Sequence, residues 1–206
     1  MSKVQVDTID TRSGTSTMQI GSTNTSTINI GVSGDTVNIP SGVTIANAGT
    51  ATGFGQSMTP MFAVRRTSGQ TVTDNSFTKI QFATEDIDTD SAFDNSSNYR
   101  FTVPSEKAGK YLFSFNVAVA SNTGVSNAQQ LFVALYKNGT TFIQNFFDGR
   151  NNAYGDTFNG SASFILDCSV SDYFEIYVKF NDGGSGNGGN VQSGATSFSG
   201  VRLLAS

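Results

Sequence analysis

The sequence predicts an all-β chain in which a two-sheet sandwich or jelly roll, residues 56–206, follows a short repetitive β stem, residues 1–55. Three observations predict it. Apolar–polar alternations recur at short, regular intervals after residue 60, bounded by Gly, Asn, Ser or Asp, as strands joined by tight turns are. Helix-forming residues never gather into a run, and the 206 residues include 22 Gly with only 14% charged. Aromatic residues are unevenly spread, since 1–55 contain Phe54 alone while the chain holds 17 Phe and 6 Tyr.

In the stem a three-residue unit recurs: Met18-Gln19-Ile20, Ile28-Asn29-Ile30, Val37-Asn38-Ile39 and Val43-Thr44-Ile45. Each has the two-residue period of a strand and is bounded by Gly, Asn, Ser or Pro. The units begin six to ten residues apart, the spacing of short strands and tight turns. Burying the aliphatic side chains of a unit contributes roughly 1.5–3 kcal/mol apiece. Ordering the backbone costs roughly 1–2 kcal/mol for every residue. One copy therefore cannot order itself. Three copies wound round one axis can, because each buries its apolar edge against the other two. The stem is expected to be an intertwined or stacked β structure that orders on association. The alternative, a disordered Ser/Thr-rich linker, leaves the recurring Ile and Val without a reason. The small residues of 48–55 and then Met58-Thr59-Pro60-Met61 lead into the second composition, which places the boundary near 55–60.

Beyond it, strands are predicted over Met61–Arg66, Gln70–Val72, Thr78–Phe82, Tyr99–Val103 and Lys110–Ala120. Five more follow over Gln130–Lys137, Thr140–Asn145, Ser161–Cys168, Tyr173–Phe180 and Thr196–Leu204. Pro104 ends one strand, Gly109 supplies a turn, and Tyr111, Phe113 and Phe115 put aromatic bulk on one face of the next. Asn138-Gly139 signals a hairpin, because both residues tolerate the positive φ of a tight turn. In Gln130–Lys137 one face carries Leu131, Val133 and Leu135 and the other Phe132, Ala134 and Tyr136. Both are apolar, which points to burial at a subunit interface.

Several functions are excluded or left without residues. A net charge of −4, with Arg65-Arg66 the one adjacent basic pair, argues against nucleic acid as a partner. No apolar run approaches the roughly 20 residues of a membrane helix. The start, MSKVQVDTID, has no apolar h-region, so synthesis in a cytoplasm without a secretory leader is expected. Cys168 is the sole cysteine and the chain has no His, so an inert buried thiol is expected. Asp86-Ile87-Asp88-Thr89-Asp90 opens like a calcium loop, but Ser91 and Ser97 stand where the EF-hand needs Gly and Glu, and a solvated acidic loop is expected. Gly184–Gly189 contains GxGxxG without a following helix and is expected to be a loop. No carboxylate pair among the 16 Asp and Glu is singled out for glycoside hydrolysis. No catalytic, cofactor-binding or metal-binding residue is assigned.

The stretch Phe93–Phe115, FDNSSNYRFTVPSEKAGKYLFSF, resembles the signature of the complement 1q globular head, a jelly roll related to the tumour-necrosis-factor fold. Val133-Ala134-Leu135-Tyr136-Lys137-Asn138-Gly139 is similar to that family's hairpin. Gly160-Ser161-Ala162, Ser171-Asp172 and Glu175-Ile176-Tyr177-Val178 resemble its late strand pair, and Ser197–Leu204 its last strand. The motifs keep family order across 62–206. The resemblance implies a jelly-roll head that binds as a trimer and does no chemistry. A weak calcium site near the trimer axis is implied for some members only, and no residues are assigned to it. A collagen stalk is excluded, because no Gly-X-Y repeat precedes the head.

The stem phrase Ser33–Gly42, SGDTVNIPSG, resembles marine bacteriophage fibre proteins. Together the resemblances imply a non-enzymatic homotrimeric virion fibre protein, tail fibre-like and made in the host cytoplasm. Residues 1–55 would join other virion proteins, and loops of the head would meet a host-surface glycan or protein through avidity. A capsid-decorating, cement or head-fibre trimer is the alternative, and a polysaccharide-cleaving tail spike a further one.

Overall fold

The computed structural model describes residues 20–21, 23–46, 58–122, 128–150, 155–183, 186 and 188–205, in two units, Met1–Thr52 and Gly53–Ser206. Every regular element among the described residues is a strand.

In the first unit the chain turns at 23–24, 33–34 and 41–42, between the expected three-residue units. The middle turn is closed twice, by Asp35 N donating to the Val32 carbonyl at 3.0 Å and Val32 N to the Asp35 carboxylate at 2.9 Å. Val43 N donates to Pro40 O at 3.2 Å to close the last. Gly34 and Gly42, with φ of 96° and 85°, supply conformations that a side chain resists. Between the turns the described residues of this single copy form no strand ladder. Ile28, Ile30, Val32, Val37, Ile39, Val43 and Ile45 are 46–78% exposed, so nothing within one chain rewards pairing them. Met18 and Gln19 of the first unit and the junction 47–57 lie outside the described residues.

The head consists of two antiparallel sheets packed face to face. In chain order its strands are β1 (Met61–Arg65), β2 (Gln70–Val72), β3 (Thr78–Lys79), β4 (Thr84–Asp88), β5 (Phe93–Asp94), β6 (Arg100–Thr102) and β7 (Gly109–Ser121). Then come β8 (Gln130–Lys137), β9 (Thr140–Asp148), β10 (Thr157–Cys168), β11 (Tyr173–Asn181), β12 (Gly189–Val191) and β13 (Ser197–Ala205). In the first sheet β7 is central: β10 pairs along one edge, while β13 and β12 share the other, leading to β1 and β4 and to β2. In the second, β11 pairs with β8 and through it with β9, and its opposite edge takes the short β3 and β6, with β5 beyond β6. Neighbours in space are mostly not neighbours in sequence, as a jelly roll requires.

The sandwich forms because alternate residues supply its core. Tyr111, Phe113, Phe115, Val117 and Val119 of β7 face Phe174, Ile176, Val178 and Phe180 of β11, all of them buried. Rings meet across the gap, Phe62 with Phe101 at 4.6 Å and Phe113 with Phe174 at 4.5 Å between centroids. Each such side chain contributes roughly 1.5–3 kcal/mol by burial. Gly200 leaves room for them, since an added Cβ would stand 2.8 Å from the Phe113 ring.

Three expectations change. β4, β5 and β12 are strands that the sequence pattern did not predict. Asp86 to Asp88 lie in β4, paired with β1 across a bulge at Ala63/Val64, and not in a loop. Gly109 opens β7 at φ 151°, where a Cβ would collide with the Leu204 carbonyl oxygen; close approach of β13, not a turn, requires it. On the second apolar face of β8, Phe132 stacks on Phe146 at 4.2 Å and Tyr136 on Tyr177 at 4.1 Å, and Phe132 and Tyr136 stay half-buried.

Candidate interaction surfaces

The motif residues hold the scaffold. Asp94 accepts from Ser96 N, Ser97 N and Asn98 Nδ2 at 2.7–3.0 Å, folding the Asn-rich stretch into a turn behind Phe93. Those bonds hold its pKa well below the usual carboxylate range. Asn138 and Gly139 both have positive φ, 53° and 77°, and make the β8–β9 hairpin as expected. Asp172 pins that hairpin from below, pairing with Lys137 at 2.7 Å and accepting from Asn138 Nδ2 at 2.8 Å. Two motifs distant in sequence thus form one cluster.

The remaining polar stretches do not converge. Asp86 pairs with Arg65 at 2.9 Å, Asp88 accepts from Ala92 N and Phe93 N at 3.0 Å each, and Asp90 meets Lys107 at 3.5 Å. Among the described residues no three His, Cys, Asp or Glu side chains are grouped to hold a metal. Arg66 is buried, donating to the Ser68, Gly69 and Gln81 carbonyls, so the adjacent arginines serve the fold. Cys168 is buried at the end of β10 and burial pushes its thiol to about 12. A strand, β12, follows the glycine-rich stretch, where a dinucleotide site needs a helix. Gly184, Ser185 and Asn187 of that stretch, and residues 151–154, lie outside the described residues.

Three exposed surfaces are distinctive. The first is the outer face of the first sheet. Its cross-strand rows are Ser163–Ser114–Ser199–Ala63 and Ile165–Leu112–Val201–Met61. Small hydroxylated residues flank one apolar row, and Met61, Ile87, Leu112 and Val201 line a shallow cleft of about 180 Å³. The second is the open side of the sandwich, where β9 and β10 are edge strands joined by Asn145 Nδ2 donating to the Ser161 carbonyl at 3.1 Å. Phe142, Ile143, Phe147 and Ile165 stand there, exposed by 38–60%, while Phe146, opposite Phe132, belongs to the outer face of the second sheet.

The third surface is the outer face of the second sheet. Phe146, Phe132 and Lys179 form one row across β9, β8 and β11, with the Lys179 ammonium 4.1 Å from the Phe132 ring centroid. Phe77 packs edge-on to Phe132 and Tyr136, and Lys179 also stands 5.5 Å over it. Lys79 pairs with the buried Glu175 at 2.6 Å. Burial, then the Glu175 carboxylate, pushes the Tyr177 phenol up and keeps it protonated. This face is built from strands, apart from the loops in which binding is expected. The paired aromatics of β8 are its signal, but their partners come from strand register.

Comparison with known proteins places the fold. The head superposes on Eiger TNF from S. frugiperda with a TM-score of 0.51, at 10% identity over 71% of this chain and 92% of that one. The globular domain of zebrafish complement 1qA gives 0.47 at 14% identity (71% of this chain, 99% of that), and murine APRIL at pH 5.0 gives 0.49 at 9% (69% and 98%). The strand order and the Eiger TNF match together give the head a jelly-roll fold of the tumour-necrosis-factor type. No family model and no curated protein matches the sequence.

Proposed function

We propose that the chain is a non-enzymatic, homotrimeric virion fibre protein of a bacteriophage, attached to the particle by residues 1–55 and adhering to the host surface through its head. The observation that carries the trimer is apolar surface that one chain leaves uncovered. Residues 20–46 expose every described Ile and Val, and the β9–β10 side exposes aromatics beside a sheet face made of small residues. An edge of one copy laid on the sheet face of the next is a heterologous contact, which closes into a ring under threefold rotation. The phage assignment is supported by the resemblance of Ser33–Gly42 to fibre stems. Adhesion then works through avidity, three weak sites on one rigid body.

Light scattering tests the trimer: a mass three times the 21.7 kDa of the chain is expected, and a stable monomer of the full chain defeats the proposal. Deleting residues 1–55 should leave a folded head that no longer joins the particle. Normal incorporation of that truncated head would refute the attachment role. Electron microscopy of particles labelled with antibody to the head should decorate the tail; label over the shell would favour capsid decoration.

A further inference from the structure

The outer face of the second sheet differs chemically from the rest of this acidic chain. Its buried carboxylate, Glu175, is already neutralised by Lys79 at 2.6 Å. Lys179 makes no ion pair among the described residues; its ammonium is held between the Phe132 and Phe77 rings. A cation over aromatic faces keeps its charge while shedding part of its water, which prepares it for an anion. Phe146 stacks on Phe132 with centroids 4.2 Å apart, and the Lys179 ammonium is 4.1 Å from the same Phe132 ring, which puts the two ends of the row within about 8 Å; Phe146 is 47% exposed.

We propose that the Lys179–Phe132–Phe146 row binds an acidic saccharide, with a sugar ring against Phe146 and the carboxylate of a neighbouring residue at Lys179. The negative face of an aromatic ring attracts the weakly positive C–H groups of a pyranose face. The separation of the two ends suits two adjoining sugar units. The site rests on the adhesive reading for its use, and it is available in the proposed trimer. The two outer faces of a sandwich point in opposite directions, so covering the first sheet leaves the second open. Three such rows on one body would supply the avidity that adhesion needs.

Affinity electrophoresis of the full-length protein in gels containing polygalacturonate, neutral galactan or polyglutamate tests the site. Polygalacturonate should retard the protein most. Lys179→Met, which keeps the stem over the rings, should weaken that binding about tenfold, the loss of one charge-assisted hydrogen bond. Phe146→Ala should weaken polygalacturonate and galactan alike, with thermal unfolding confirming an intact head. Equal retardation by polyglutamate, no retardation by polygalacturonate, or indifference to both substitutions overturns the proposal. Host-cell binding separates the two readings. If both variants still bind cells like the unaltered protein, adhesion stands and this site falls. If polygalacturonate binding depends on Lys179 but cells are not bound, the site stands and adhesion falls.

Discussion

The same residue types meet opposite fates in the two units of this chain. In the head, Val64, Val72, Val117, Ile176 and Val178 are wholly or almost wholly buried, while in residues 20–46 no described Ile or Val is less than 46% exposed. The difference lies in what surrounds them. The head interleaves its aliphatics with large rings on long strands, so each sheet covers the other. The first unit has two or three aliphatics between turns and no aromatic residue in 20–46. Burial of apolar area drives folding in both cases, but only the head carries enough of it on one chain. One unit completes its core alone. The other leaves its described aliphatics exposed on a single chain.

The largest effect that would sharpen this contrast is at Phe113, which meets Phe62, Phe101, Phe174 and Phe198 within the core. Phe113→Ala should destabilise the head by about 3–5 kcal/mol, the usual range for a truncated core ring. Urea unfolding of the chain lacking residues 1–55 measures it directly. Ile30→Ser should leave that head's counterpart in the full chain unfolding as before, yet lower the concentration stability of the oligomer. If Ile30→Ser destabilises the head as Phe113→Ala does, the contrast between the units is wrong.

A smaller effect belongs to the boundary between the two behaviours, the exposed edge of the head. Ile165 is 60% exposed in β10, aligned with Leu112 and Val201. Ile165→Asp should weaken association by about 2 kcal/mol, as for an apolar anchor within an interface. Unfolding of the isolated head should change little, because an exposed side chain is replaced. Sedimentation over a dilution series reads the first quantity and urea unfolding the second. An unchanged association constant would exclude this edge from the trimer contact.

The long strands were legible in the sequence because β7, β10 and β11 alternate over nine or more residues, and β8 is a continuous apolar run ending at a turn signal. Asn138-Gly139 was equally clear, since positive φ at both positions is a local property. β4 escaped because Asp86 and Asp88 are polar at alternate positions, and their reason for being there, Arg65 and two backbone amides, is supplied by other segments. β12 escaped because Gly189 and Asn190 have no strand preference of their own and pair between β7 and β2. The aromatic–lysine row could not be read at all. Phe132, Phe146 and Lys179 become neighbours through register, which one-dimensional patterning does not contain.

The smallest effect concerns Asp172, and pH separates it from the rest. Burial pulls its pKa up, but bonds from Lys137, Asn138 and the Ser169 amide outweigh this and set it below the ordinary value. An Asp lowered in the folded state gives stability that is complete above its unfolded pKa of about 3.9 and is lost as pH falls through the folded value. Asp172→Asn should therefore cost about 1 kcal/mol at neutral pH and flatten the acid limb below about pH 4. The alkaline limb has the opposite sign. Burial pushes the Cys168 thiol to about 12 and raises the Tyr111 phenol as well. Their contribution is complete below the unfolded thiol pKa of about 8.5 and is lost as pH rises toward the folded value. Cys168→Ala should flatten that limb and leave the acid one alone. Thermal unfolding of the isolated head from pH 2 to 11 reads both limbs. An acid limb that survives Asp172→Asn unchanged would move the cause to Asp94 and its turn.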